Sequence, residues 1–268
     1  MSTRKPLSVQ LYSVRDYAAK DFKATLKRIA DIGFVGVEPA GFFDMRPSDF
    51  RKTIEDLGLK LYSSHTPWVR GDFIGEAMET ADILGLKRVV CGYSAADFAD
   101  MDSIKRTADR VNLIQEKLEK NGFELFQHNH YWEFERIDGR LKYEIFAELC
   151  PKVKFELDCY WSTNKGREDA VAVMKPFAER TILVHMKDGV CRQEAKNAGM
   201  VNGLLDMKVD LLPLGEGDLP IPQLMQVLPE QVETVVVELD YCDSVEMFEA
   251  LRRSYDYMTR NGFAYGNK

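Results

Sequence analysis

Short runs that alternate apolar and polar residues take turns with longer stretches whose apolar residues recur every three or four positions, from one end of the chain to the other. The first pattern is that of a strand and the second that of an amphipathic helix. Leu7-Ser-Val-Gln-Leu-Tyr-Ser-Val14 predicts an opening strand whose polar set includes Gln10. Asp21 to Ile32 has apolar residues at 22, 26, 29 and 30 and reads as a helix closed by Gly33. Strands are then predicted over 34–39, 60–65 and 87–92, and helices over 47–57, 72–84 and 102–120, with Gly58, Gly85 and Asn121-Gly122 as stops. Pro67 lacks an N–H to give to a ladder and ends the third strand. In the second half, strands over 123–130, 153–161, 181–188 and 232–240 are interleaved with helices over 142–149, 168–179, 221–228 and 244–260. The stretch 189–220 is Gly-rich and polar, too long for an ordinary connection, and reads as a functional loop or lid.

Eight strands alternating with about eight helices favour a (β/α)8 TIM barrel over an open doubly wound sheet. No GxGxxG and no GxxxxGK[ST] occurs, so dinucleotide and P-loop readings lose support. Nothing resembling a linker or a low-complexity segment interrupts the pattern, and residues 1–268 are expected to form a single domain.

Composition adds exclusions. Hydrophobic content of 45% and charged content of 29% are ordinary for a globular chain, and a formal charge of -7 argues against nucleic-acid partners. Cysteines at 91, 150, 159, 191 and 242 form no CxxC pair, which suggests reduced thiols. The first residues hold no apolar run long enough for a signal peptide or a membrane span, so a cytoplasmic protein without a membrane partner is expected.

Candidate chemistry gathers at strand ends. Phe123-Glu-Leu-Phe-Gln-His-Asn-His130 ends in two histidines on one face, and the three following strands end near Asp158, His185 and Glu238. All four histidines of the chain, 65, 128, 130 and 185, fall at such ends. In a barrel these positions face one mouth. Imidazoles and carboxylates together make a mixed nitrogen and oxygen set suited to one divalent ion, Mn, Co, Fe, Mg or Zn, among which the residues do not choose.

Several segments carry a resemblance: Gln10-Leu-Tyr-Ser-Val-Arg15, Gly33-Phe-Val-Gly-Val-Glu38, His128-Asn-His130 with Trp132-Glu-Phe134, Leu157-Asp-Cys-Tyr-Trp161, His185-Met-Lys-Asp188, Gly215-Glu-Gly217 and Val237-Glu-Leu-Asp240. In this order they make the chain similar to the xylose isomerase-like, metal-dependent sugar phosphate isomerase/epimerase superfamily, which includes inosose dehydratases, hydroxypyruvate isomerases and the endonuclease IV type of repair enzyme. The resemblance implies metal ligands at His128, Asp158, His185 and Glu238. It also implies Glu238 as the carboxylate base, with His128 or His130 as its partner. The sugar epimerases carry a Glu where this chain has His128, a departure that puts the two-glutamate scheme in question. Isomerisation, epimerisation and dehydration or lysis of a keto-sugar, 3-keto-glycoside or cyclitol are thus three outcomes of one site. Lys187, Glu38, His65, Gln10 and Trp161 are candidates for contacting the sugar, Glu156 for supporting the ligands, and Trp68 and Trp132 for an apolar wall. The expected partner is a small sugar or keto-sugar, with association into a homo-oligomer left open.

Overall fold

The computed structural model describes residues 4–71, 73–191, 198–206 and 208–268. Its barrel strands are β1 (Lys5–Gln10), β2 (Gly36–Glu38), β3 (Lys60–Leu61), β4 (Arg88–Cys91), β5 (Glu124–His128), β6 (Lys154–Asp158), β7 (Thr181–Met186) and β8 (Val235–Val237). Each is followed by a helix: α1 (Phe22–Ile32), α2 (Pro47–Asp56), α3 (Ile74–Leu84), α4 (Met101–Lys120), α5 (Lys142–Leu149), α6 (Ala170–Met174), α7 (Ile221–Val227) and α8 (Met247–Arg260). The strands pair in parallel in the order β3-β2-β1-β8-β7-β6-β5-β4. Between β3 and β4 the Val69 N–H donates to the Val90 carbonyl at 2.9 Å and joins the two ends of the row. The expected TIM barrel is the fold.

Alternation along the strands decides what lies inside. On β1, Leu7 and Val9 turn outward into the apolar shell shared with the helices, while Ser8 and Gln10 turn inward. Leu26 and Ile29 of α1, Phe50 of α2, Ile104 and Val111 of α4 and Leu251 of α8 belong to that same shell, all fully buried. Each such side chain contributes about 2 kcal/mol of burial. α1 and α4 start where a side chain serves as cap: the Asp21 carboxylate accepts from Ala24 N–H at 2.9 Å, and Asp100 from Ser103 N–H at 2.7 Å. α1 stops at Gly33, whose φ of +119° suits glycine and whose missing Cβ leaves room for the Tyr255 ring.

Several elements are shorter than their apolar runs predict, each for a local reason. β1 gives way to a 3₁₀ turn over Leu11–Val14 because the Gln10 side chain accepts from Tyr12 N–H at 3.0 Å. β3 ends at Leu61, and Ser63 and His65 instead tie back to β2, His65 N–H donating to the Pro39 carbonyl at 2.8 Å. The helix predicted over 168–179 divides into α6 and a 3₁₀ stretch over Lys175–Arg180, with Pro176 at the junction. The 189–220 excursion builds structure of its own. Asp188–Cys191 pairs antiparallel with Val209–Leu212, and Met200–Val201 with Leu204–Leu205; residues 192–197 and 207 of this stretch lie outside the described ones. Among the described residues no helix is long and apolar enough to cross a membrane.

Candidate active site and metal cluster

Inward-facing residues of seven barrel segments meet in one buried cluster. β5 contributes His128, β6 Glu156 and Asp158, β7 His185 with Lys187 just beyond it, and the end of β8 Glu238. From the first half of the barrel come Gln10, Glu38 and His65. One ligand-type atom from each of His128, Asp158, His185 and Glu238 lies within 4.8 Å of the others. A second set, His65, His128, Glu156 and His185, meets the same limit and shares two members with the first.

His185 is the hinge of the cluster. Its Nδ1 is 2.6 Å from Glu238 Oε2, and its Nε2 is 2.7 Å from Glu38 Oε2 and 3.3 Å from Glu156 Oε1. Burial opposes a charge on the ring, but Glu156, Glu38 and Glu238 together hold it protonated well above its ordinary range. Glu38 also accepts from Gln10 Nε2 at 2.6 Å and from the Ser63 hydroxyl. His65 Nε2 stands 2.5 Å from Glu156 Oε2 and 3.3 Å from Glu38 Oε2. The two facing carboxyls part company: burial and the charge of Glu156 raise Glu38, whereas His185 and His65 outweigh burial and hold Glu156 ionised.

Above this lies Lys187, 1% exposed. Its ammonium is 2.6 Å from Asp158 Oδ2, 2.7 Å from Glu238 Oε2 and 3.3 Å from Asp240 Oδ2. Burial works against its charge, but Asp158, Asp240 and Glu238 raise it well above the ordinary lysine value. Glu238 in turn stays ionised despite burial, because Lys187 and His185 both face it. Asp158 is fixed on its other oxygen, which accepts from Tyr160 N–H at 3.0 Å and Trp161 N–H at 2.8 Å. Asn129 completes the frame, its side-chain oxygen accepting Asp158 N–H at 2.9 Å.

The two histidines of β5 differ from His185. Burial and the charge of His185 hold His128 unprotonated, and its Nδ1 has no hydrogen bond, with Glu156 Oε2 3.5 Å away. His130 is pushed down to about 3 by burial and by Lys187, and its ring lies flat on Trp132 with centroids 4.3 Å apart. Its Nδ1 too is buried without a partner. The main chain of His130 is held by Glu133, whose carboxyl accepts the His130 N–H at 3.0 Å. Burial raises Glu133 to about 8.

These residues fit a divalent cation. Five buried or half-buried carboxylates, Glu38, Glu156, Asp158, Glu238 and Asp240, face one ammonium and two imidazoles that sit between carboxylates. Burial raises Glu38, Asp158 and Asp240 against ionisation, and these carboxyls, beside an imidazole nitrogen with no partner, are what a positive ion relieves. The donors are His nitrogens and carboxylate oxygens, a set that suits several first-row metals and Mg²⁺.

Every residue expected at the site is in or beside this cluster, and Gln10, Glu38 and His65, expected to contact the sugar, bind one another and His185. Lys187, expected to contact the sugar, is buried and bound by carboxylates. Trp68 is not a free wall: its ring packs edge-on to His65 at 4.9 Å and fills the space left by the missing side chain of Gly92. Trp161 does face the site, 5.6 Å from the Lys187 ammonium. Asp240 was missed as a partner, although its place two residues after Glu238 puts it on the same face. Asp188, next to Lys187, points elsewhere and accepts N–H bonds from Gly189, Gly215, Gly217 and Leu219 at 2.8–3.1 Å, which pins the end of the 189–220 excursion to β7.

Comparison with known proteins agrees with this architecture. A family model described as xylose isomerase-like TIM barrel matches residues 26–260. A sugar phosphate isomerase/epimerase from Parabacteroides distasonis has a similar structure, with TM-score 0.69 and 23% identity over 98% of this chain and 96% of that one. A probable 3-DHS dehydratase from Bacillus anthracis aligns with TM-score 0.68 and 14% identity over 95% and 98% of the two chains. A D-allulose 3-epimerase from Methylomonas sp. aligns with TM-score 0.66 and 11% identity over 96% and 98%. No curated protein sequence matches the chain.

Proposed function

Because the chain belongs to the xylose isomerase-like TIM barrel family, we propose that it is a divalent-metal-dependent isomerase or epimerase of a sugar or keto-sugar, acting by removal of the proton next to a carbonyl. The observation that carries this reading is the convergence of His128, Asp158, His185 and Glu238, from successive strand ends, within 4.8 Å. A divalent ion held by them supplies positive charge to the oxygen that becomes anionic as the proton leaves.

The rest falls to side chains. Glu238, kept ionised, takes the proton from carbon. His130, unprotonated and with a free Nδ1, stands as its partner in moving that proton. Gln10, Glu38 and His65 fix His185, and Trp161 offers a ring face to the sugar. The formal charge of -7 favours a small ligand over nucleic acid, and a cytoplasmic site of action suits the unbridged thiols of Cys91, Cys150, Cys159 and Cys242.

A second reading is β-elimination from a keto-sugar, 3-keto-glycoside or cyclitol. The imidazole of His128 favours it. Epimerisation by two carboxylates needs one on each side of the carbon, whereas expulsion of a β-oxygen needs one base and one proton donor. Ketoses, inososes and 3-keto-glycosides incubated in D₂O and followed by NMR separate the outcomes as exchange, epimerisation or loss of a leaving group. Metal analysis of the purified protein is the companion test: bound ion is expected in the wild type and lost in Asp158→Ala and His185→Ala. Full retention in both variants would remove the proposal.

A further inference from the structure

Asp158 and Glu238 are needed to hold a cation, yet both already bind the Lys187 ammonium, at 2.6 Å and 2.7 Å. Glu238 Oε2 already faces His185 Nδ1 at 2.6 Å as well as the ammonium, so a divalent ion added to these oxygens meets strong repulsion from Lys187. Lysine is a single charge on a flexible four-carbon stem, so it can leave. Asp240 is the third carboxylate facing the ammonium and holds it at the longest distance of the three. Its Oδ2 lies 3.3 Å from Lys187 Nζ, makes no hydrogen bond, and belongs to a side chain 29% exposed. The main chain there is fixed independently, since the Asp240 carbonyl accepts from Arg15 Nη1 at 2.9 Å. Across the ammonium the Trp161 ring stands 5.6 Å away and lines the same path with a face favourable to a cation.

The geometry points to a cation exchange built into the cluster: Lys187 neutralises Asp158 and Glu238 until a divalent ion takes them, and Asp240 then receives the ammonium. The inference rests on the metal reading above and adds two residues to it. Lys187 keeps the metal-free cluster together, and its displaced ammonium is delivered to the mouth, where a substrate oxygen can use it. Asp240 is the receiving group. No covalent step is involved; only ion pairs are exchanged.

Calorimetric titration of metal-free protein with Mn²⁺ tests this on the wild type, Lys187→Met, Asp240→Asn and the double variant. Lys187→Met is expected to bind Mn²⁺ about tenfold more tightly, because the competing cation is gone. Asp240→Asn is expected to bind several-fold more weakly, and this weakening is expected to vanish when residue 187 is Met, since Asp240 acts through the lysine. Equal or weaker binding by Lys187→Met overturns the exchange, as does an Asp240→Asn effect that persists in the double variant as plain loss of charge. If Lys187→Met does not fold without metal, Lys187→Gln takes its place in the same cycle, and the same two outcomes decide. Mn²⁺ bound by the wild type with all variants alike sinks the exchange and spares the metal reading, whereas no binding by any form sinks both.

Discussion

In the lower layer of the barrel interior the charges close on one another, whereas in the upper layer they converge on one lysine. Below, Glu38 takes Gln10, Ser63 and His185, and Glu156 takes His65 at 2.5 Å on one oxygen and faces His185 Nε2 at 3.3 Å with the other. Above, Asp158, Glu238 and Asp240 share Lys187, and the Nδ1 atoms of His128 and His130 bind nothing. A buried polar network with its partners in place fixes geometry, while one left short of partners invites a ligand. The contrast teaches which residues hold the site and which are offered to it.

His185 belongs to both layers, and removing it is expected to do the most damage. His185→Ala leaves Glu38, Glu156 and Glu238 buried without the imidazole between them. Stranding buried charge costs about 3–5 kcal/mol. Urea unfolding of the metal-free variant at pH 7 measures it. A loss below about 1 kcal/mol would mean that the lower layer stands without its shared residue, and the comparison would break.

Much of this was legible from alternation alone. The barrel follows from the regular exchange of two-residue and helical periods, and the upper layer from His or a carboxylate recurring at the ends of β5 to β8. What the sequence hid is contact across the barrel. Glu38 ends β2 and His65 follows β3, yet their meeting with Glu156 and His185 depends on the ring closing and on the chain bending inward after Leu61. Lys187 and Asp240 share faces with His185 and Glu238, but only three dimensions show the ammonium between their carboxylates. Periodicity also overruns strand ends: Gln10 capping Tyr12 stops β1 where the apolar pattern continues to Val14.

Glu133 sharpens the comparison, because it is a fully buried acid that neither layer neutralises. Burial raises it from an ordinary 4.5 to about 8. The folded state therefore keeps a proton that the unfolded chain releases between these values, so its contribution to stability falls as pH rises through that window and is lowest above it. Glu133→Gln keeps an oxygen to accept the His130 N–H, which donates to Glu133 Oε2 at 3.0 Å, and removes the titration. Thermal unfolding at pH 5 is expected to be nearly unchanged, and at pH 9 the variant is expected to be the more stable on the order of 2 kcal/mol. Parallel pH profiles for the two proteins would show that Glu133 has a counter-charge after all.

The smallest expected effect belongs to the lower layer. Ser63 donates its hydroxyl to Glu38 Oε1, the oxygen that neither Gln10 nor His185 reaches. Ser63→Ala removes one donor from a buried carboxyl that keeps its other partners, and one such hydrogen bond is worth about 1–2 kcal/mol. If the lower layer is scaffold, the change lowers the unfolding free energy by that amount and leaves Mn²⁺ affinity alone, because His185 is still held on Nε2 by Glu38 at 2.7 Å. Calorimetry beside denaturant unfolding reads both quantities on the same preparation. A drop in Mn²⁺ affinity larger than the loss of stability would place Glu38 among the groups offered to the ion, and the line between the two layers would have to be drawn one residue lower.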